Sequence, residues 1–372
     1  MTTRAEETQV ERMLAQIAAF GLVSHEKSHL SIPDGDWPAV LSIAYYERLT
    51  GLAVAAAEDG ALTLISQQAD DLLNRHREAM LQALALERHL VTLAPALEDA
   101  GIEMVLLKGP ALAHTVYPDP SWRPFADLDF LVRGRDFHRA CEILAANGFH
   151  RGLPEPKAGF DMRFGKAAEL LGKDGLMIDL HRTLVVGPFG LWIGLEELFA
   201  HTITLQVGGR TVRRLDDTNL FLHACVHASL GWSPPLLMPL RDVAQVASHA
   251  SVDWNLVAER ARRWRLAAVV RHALETVSTT LGIAVPKEAA AVLAIQPRRK
   301  EIRALAAYTT DRRQRGGTAT STLRAIPGLR AKAAYVRALL FPNRDFLAAR
   351  QRGRFRRLTV PIRWLTTWRR SA

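Results

Sequence analysis

Cysteine is scarce in this sequence: two among 372 residues, Cys141 and Cys225, each inside an apolar helical pattern and neither at metal-ligand spacing. That excludes a disulfide-stapled scaffold and a cysteine-built zinc site, and it reads as buried free thiols in a reducing compartment. No uninterrupted apolar run approaches the roughly 18 residues that suggest a membrane span. The first twenty residues carry acidic side chains where a signal peptide would have an apolar core, so the expected location is cytoplasmic. Several enzyme loops are missing too: there is no G-x-x-x-x-G-K-[ST], no G-x-G-x-x-G after a strand and no G-x-S-x-G elbow. No internal repeat is visible.

What is present begins with an ordinary globular balance, 48% apolar and 23% charged residues. The net charge of +10 is unevenly placed. From Arg298 onward 20 lysines and arginines face three acidic residues, +17, which leaves −7 for the first 297 residues. The basic character therefore belongs to a tail.

The pattern divides the chain into four. Residues 1–100 read as a helical region, with apolar positions at helical spacing over 6–20, 38–57 and 70–100 and a stop at Gly101. Residues 101–214 alternate short strands with helices, as in an α+β domain with a small mixed sheet. Residues 215–297 return to helix, with Asp216 or Asp217 as N-cap of the first and three amphipathic helices behind it. Residues 298–372 form a basic tail mixing helical patterns with a flexible stretch, RRQRGGTATST, and an Arg/Trp-rich end. Such a mixture suits an anionic partner, whether nucleic acid, membrane surface or acidic protein, and equally suits helices that dock by an apolar side.

The chemistry concentrates in residues 105–132, VLLKGPALAHTVYPDPSWRPFADLDFLV, and 176–181, LMIDLH. Val105, Leu106 and Leu107 form a short strand that stops at Lys108-Gly109, and Pro110 suits the first turn of a helix through His114. A strand, a tight turn and a helix start favour phosphate, because first-turn N–H groups are unpaired. ADLDFLV reads as a second strand, on which Asp127 and Asp129 share one face. Asp-Gly at 174–175 turns a hairpin whose second strand carries Asp179 toward that pair. Three carboxylates beside a phosphate-binding turn are what a divalent-metal phosphoryl-transfer site requires.

These residues resemble the polymerase-beta-type nucleotidyltransferase superfamily, and within it a bacterial branch carrying LLKG, then R-P-x-x-D-h-D-h-L-V, then h-D-L-H. Lys108-Gly109 stands where the superfamily has Gly-Gly or Gly-Ser. The resemblance covers roughly residues 103–286 and implies transfer of a nucleoside monophosphate from an NTP such as ATP to an acceptor, with release of pyrophosphate. It implies two Mg²⁺ ions, with Mn²⁺ as a substitute, on Asp127, Asp129 and Asp179. Asp179 would also take the proton of the acceptor hydroxyl. Lys108, Gly109 and Arg123 would bind the nucleotide's phosphates, and His181 is an accessory or orienting residue. The acceptor is left open among small metabolites, natural products, proteins and RNA ends. Two other functions stay in play: a module that binds nucleotide or RNA without turnover, which complete carboxylates disfavour, and a toxin-like transferase acting on tRNA, for which the basic tail is the hint. His223 and His227, at i and i+4, form a zinc-type pair or simply line the core or cleft.

Overall fold

The structure is a computed structural model that describes residues 4–22, 29–310 and 316–352. The N-terminal region holds helices Arg4–Ala19, Trp37–Tyr46, Thr50–Glu58 and the long Ser66–Asp99. The single pattern expected over 38–57 is split, because Arg48 adopts φ +66 and breaks the helix. A parallel two-residue pair, β1 (Leu30–Ser31) and β2 (Leu62–Thr63), also lies here, too short to leave a period in the sequence. The long helix begins where the Gln68 side chain accepts from Ile65 N at 3.3 Å. It ends at Gly101, whose φ of +71 lets Gly101 N and Ile102 N donate back to the carbonyls of Glu98 and Leu97.

Seven strands follow: β3 (Met104–Leu106), β4 (Asp127–Val132), β5 (His150–Arg151), β6 (Ala167–Leu171), β7 (Met177–His181), β8 (Thr202–Val207) and β9 (Arg210–Leu215). They form one mixed sheet in the order β5-β6-β7-β4-β3-β9-β8. The β3–β9 and β4–β7 pairs are parallel and the others antiparallel. This is the expected α+β class. Alternation along the strands assigns the faces. Leu128, Phe130 and Val132 of β4, with Ile178 and Leu180 of β7, are fully buried. They pack with Leu86, Leu90 and Leu93 of the long helix and with Phe137, Ala140 and Leu144 of helix Phe137–Ala146. Each such large side chain contributes about 1.5–3 kcal/mol by leaving water. The face so covered is dry, which leaves Asp127, Asp129, Asp179 and His181 on the other.

That other face meets the C-terminal helices. Asp216 caps helix Asp217–Leu230 by accepting from Asn219 N at 2.7 Å, and the helix is buried nearly all round. Helices Leu237–His249, Trp254–Arg263 and Ala267–Leu281 pack about it. One continuous core joins Leu14 and Leu52 of the N-terminal helices, Val105, Leu107 and Leu131 of the sheet, and Phe221 and Val243 of the bundle.

The tail corrects one expectation. Residues 312–315 of the stretch read as flexible, and the Arg/Trp-rich segment 353–372, lie outside the described residues. The remainder of that stretch enters helix Gly317–Ala325. Gly316 at φ +77 starts it, Thr320 and Thr322 hydroxyls donate to carbonyls four residues back, and Thr318 Oγ1 donates to Ala307 O. Composition suggested a linker; hydroxyls satisfied within the helix and the burial of Thr322 decided otherwise. Helices Leu329–Leu340 and Arg344–Arg352 follow. Tyr335 packs on Phe164 and Phe160 at ring separations of 5.2 and 5.9 Å, and Asn343 binds the backbone of Glu155 and Pro156, so the tail docks on the sheet region. Both cysteines are free; Cys225 is buried but Cys141 is only half-buried, with its thiol pushed up to about 11 chiefly by burial.

Candidate active site

Strand β3 delivers Lys108 and Gly109 to the mouth of the sheet. Gly109 adopts φ +53 and ψ −115, a backbone region open essentially to glycine alone. A Cβ there would lie 3.3 Å from Phe125 Cγ and 3.4 Å from the Asp127 carbonyl. The turn is thus pressed against the segment that starts β4. The helix expected behind it is a single turn, Pro110–Ala113, closed by Ala113 N donating to Gly109 O.

The parallel register of β4 and β7 sets Asp129 directly beside Asp179, with Leu131 opposite His181. Side chains two apart on one strand share a face, so the register alone assembles Asp129, Asp179 and His181. Their candidate ligand atoms all lie within 4.8 Å of one another, the one such group of three or more among the described residues. Asp127 sits two residues earlier on the same face and outside that group. The pair His223 and His227 is also outside it. Both are carried by the buried helix Asp217–Leu230, and their rings are held neutral: burial, then the Lys108 charge, lowers His223 to about 3 and His227 well below its ordinary value.

Charge in the cluster is strongly divided. Burial works against the Asp129 carboxylate, yet the Lys108 ammonium 2.9 Å away and contact with His181 hold it well below the usual range. Asp127 is pushed up by burial and by Asp129 beside it. Asp179 rises to about 7, again through burial and then the Asp129 charge. His181 falls to about 4 through burial and the Lys166 charge. Near neutral pH the site therefore holds ionised Asp129, protonated Lys108, neutral His181 and an Asp179 poised to lose its proton.

Two observations test whether these residues fit a divalent cation. Asp129 Oδ2 and Asp179 Oδ1 are buried and have no hydrogen-bond partner among the described residues. Buried carboxylate oxygens left so are costly unless something cationic meets them. The neutral His181 ring has one N–H but faces two acceptors, Thr183 O from Nδ1 at 3.2 Å and Asp129 Oδ1 from Nε2 at 2.8 Å. In the cation-free chain Nε2–H donates to Asp129 Oδ1 and helps hold that carboxylate ionised; a cation between them would move the proton to Nδ1, where Thr183 O accepts it, and leave the Nε2 lone pair as a ligand, the usual support of a metal-bound histidine. The donor set, two carboxylates and one imidazole, fits a divalent cation.

Arg123 is placed otherwise. Its Nε and Nη2 donate to Asp242 Oδ1 and Oδ2 at 2.9 and 2.8 Å, and Tyr117 OH donates to the same carboxylate at 2.8 Å. All three are buried, and the pair ties the connection before β4 to helix Leu237–His249 of the bundle. Its charge still reaches Asp127, where it opposes the upward shift. One residue escaped sequence reasoning: Lys166, whose charge acts on Asp127, Asp129, Asp179 and His181. It precedes β6, and its carbonyl accepts from Arg182 N at 2.8 Å, next to His181. Counting outward from the Asp174-Gly175 turn pairs Ala167 with His181 and would have found it.

Among solved structures, a crystallised antigenic nucleotidyltransferase-like protein from Paracoccidioides brasiliensis shares 16% identity over 55% of this chain and 95% of its own, with a TM-score of 0.33. No curated protein matches. The model of a family described as uncharacterised nucleotidyltransferase matches residues 33–282, about two thirds of the chain and all of the sheet, and the chain belongs to that family.

Proposed function

We propose that the protein transfers a nucleoside monophosphate from an NTP to an acceptor hydroxyl, phosphate or phosphonate, releasing pyrophosphate. The observation that supports this most is the pairing of Asp129 with Asp179 in strand register, with unpartnered carboxylate oxygens, beside the Lys108-Gly109 turn. Asp127, Asp129 and Asp179, with His181 as accessory, would hold Mg²⁺ or Mn²⁺, as two ions in the fullest arrangement. Such ions lower the pKa of an attacking hydroxyl and offset charge on the attacking and leaving oxygens.

The chain's own groups do the rest. Lys108 and the Gly109 turn orient the donor's phosphates, while Arg123, fixed on Asp242, adds its positive field at Asp127. Asp179, set beside Asp129 by the strand register, takes the acceptor's proton. The acceptor oxygen attacks the α-phosphorus; the bond from that phosphorus to the bridging oxygen breaks, and the electron pair leaves with pyrophosphate. His181, neutral and tied to Thr183 O, would offer Nε2 to the ion that Asp129 holds.

The test is calorimetric titration of each of the four NTPs with and without Mg²⁺, on the wild-type chain and on Asp127→Ala plus Asp129→Ala. Cation-dependent binding that the double variant loses is the expected result and names the donor. Absence of binding by wild-type protein at millimolar NTP would refute the reading.

A further inference from the structure

We infer that the outer face of the C-terminal helices is a docking surface for an anionic lipid membrane. Helix Leu329–Leu340 is held by one side only: Tyr335 and Ala338 are buried, and Ala331, Ala334 and Leu339 pack with Phe164 and Ile326. Its opposite side presents Leu329, Ala333, Arg337 and, at the C-cap, Phe341, all exposed and spaced by four residues, with Arg330 alongside. Spacing by four puts them in one stripe along the helix.

The exposures are extreme for such side chains: Leu329 is 84% and Phe341 67% accessible, and Leu347 on the next helix is 44% accessible. Single exposed leucines are common, but a stripe joining apolar tips to arginines has a specific use. Between residues 316 and 352 there are seven lysines and arginines and one acidic residue, Asp345. Arg324, Arg330, Arg337, Arg344 and Arg350 are exposed. Residues 1–297 carry a net −7, so the positive charge gathers in the last 75 residues.

Phosphate-rich polymers and lipid headgroups both attract such charge; the apolar side chains separate the two. A nucleic-acid backbone gives Leu329 and Leu347 nothing to bury against. A bilayer interface takes aliphatic and phenyl groups below the headgroups while the arginines stay at phosphate level. The sequence beyond, GRFRRLTVPIRWLTTWRR over 353–370, continues the same mixture with two tryptophans, a residue type that favours that boundary.

The experiment is sedimentation of the full chain with vesicles of phosphatidylcholine alone or with about one third phosphatidylglycerol, in salt near 0.1 M. Three chains are compared: wild type, Leu329→Asp plus Phe341→Asp, and Arg330→Glu plus Arg337→Glu. Exposed positions keep the fold, which circular dichroism checks. Binding to phosphatidylglycerol vesicles only is expected, weakened about fivefold or more for each arginine removed, and reduced at least as strongly by the apolar pair. Failure of the wild type to bind, or binding unchanged in the Leu329/Phe341 variant, overturns the inference. Salt-sensitive binding to tRNA that survives the apolar variant and competes fully with vesicles overturns it in favour of nucleic acid.

Discussion

Asp242→Ala is the substitution whose cost the structure fixes most closely. The carboxylate is 1% accessible and accepts three hydrogen bonds, two from the Arg123 fork and one from the Tyr117 hydroxyl. Removing it leaves a guanidinium that is 6% accessible, locked beneath the bundle with no other acid in salt-bridge contact among the described residues. Breaking one side of a buried ion pair costs about 3–5 kcal/mol, whereas the same pair at a surface is worth about 0–1 kcal/mol. Replacing both charges by apolar groups, Arg123→Met with Asp242→Leu, takes away the stranded charge and recovers most of the loss. Urea unfolding of the wild type, the two single variants and the double variant gives the coupling directly, expected at about 2 kcal/mol or more. A loss under about 1 kcal/mol for Asp242→Ala, or additive single effects, would refute the reading of Arg123 as a buried tie and return it to the solvent side of the site.

Other outcomes follow from the same geometry. Asp129→Asn is expected to weaken Mn²⁺ binding by at least about 100-fold, since disturbing groups one layer further out already costs 10–100-fold; paramagnetic titration of Mn²⁺ reads this, and unchanged affinity would exclude Asp129 as a ligand. Gly109→Ala must hold an alanine at φ +53 and ψ −115 against Phe125, a strain of about 1–3 kcal/mol visible as a lower urea midpoint. Asp179 has its pKa raised from the ordinary 3.8 to about 7, so the folded, cation-free chain binds an extra proton between those values. The stability linked to that proton is complete below about pH 4 and is lost as pH rises through 7, with a slope of at most about 1.4 kcal/mol per unit; Asp179→Asn should flatten this part of the pH profile, and an unaltered profile would contradict it. Lys166→Met is expected to weaken cation-dependent NTP binding about tenfold while Lys166→Arg keeps most of it, as measured by calorimetry; equal loss in both would mean shape, not charge, matters there.

The parts of the site that share a strand or a hairpin could be read from residue order, because alternation and turn chemistry are local. Asp127 and Asp129 fall on one face by a period of two, and Asp174-Gly175 places β7 against β6. The Gly101 stop was equally legible, and the N-cap was legible to within one residue, Asp216 or Asp217, of which Asp216 is the acceptor. What stayed hidden depends on distant packing. Arg123 and Asp242 are 119 residues apart and nothing in either neighbourhood announces the other. The break at Arg48 and the helix at Gly317–Ala325 run against local preference and exist because tertiary contacts hold them. The neutrality of His181 is likewise a property of burial that residue order does not carry.

Fifty-two residues separate Asp129 from His181, yet main-chain hydrogen bonds between β4 and β7 set their spacing. The segment between is no slack loop: helix Phe137–Ala146 fills the dry face, and β6 pairs with β7 along its length with Lys166 immediately before it. A slip of one residue in β7 would turn Asp179 and His181 into that dry face together. Main-chain pairing therefore fixes the distance between the reacting groups, and a change in the connecting segment reaches them through the hairpin that carries Lys166.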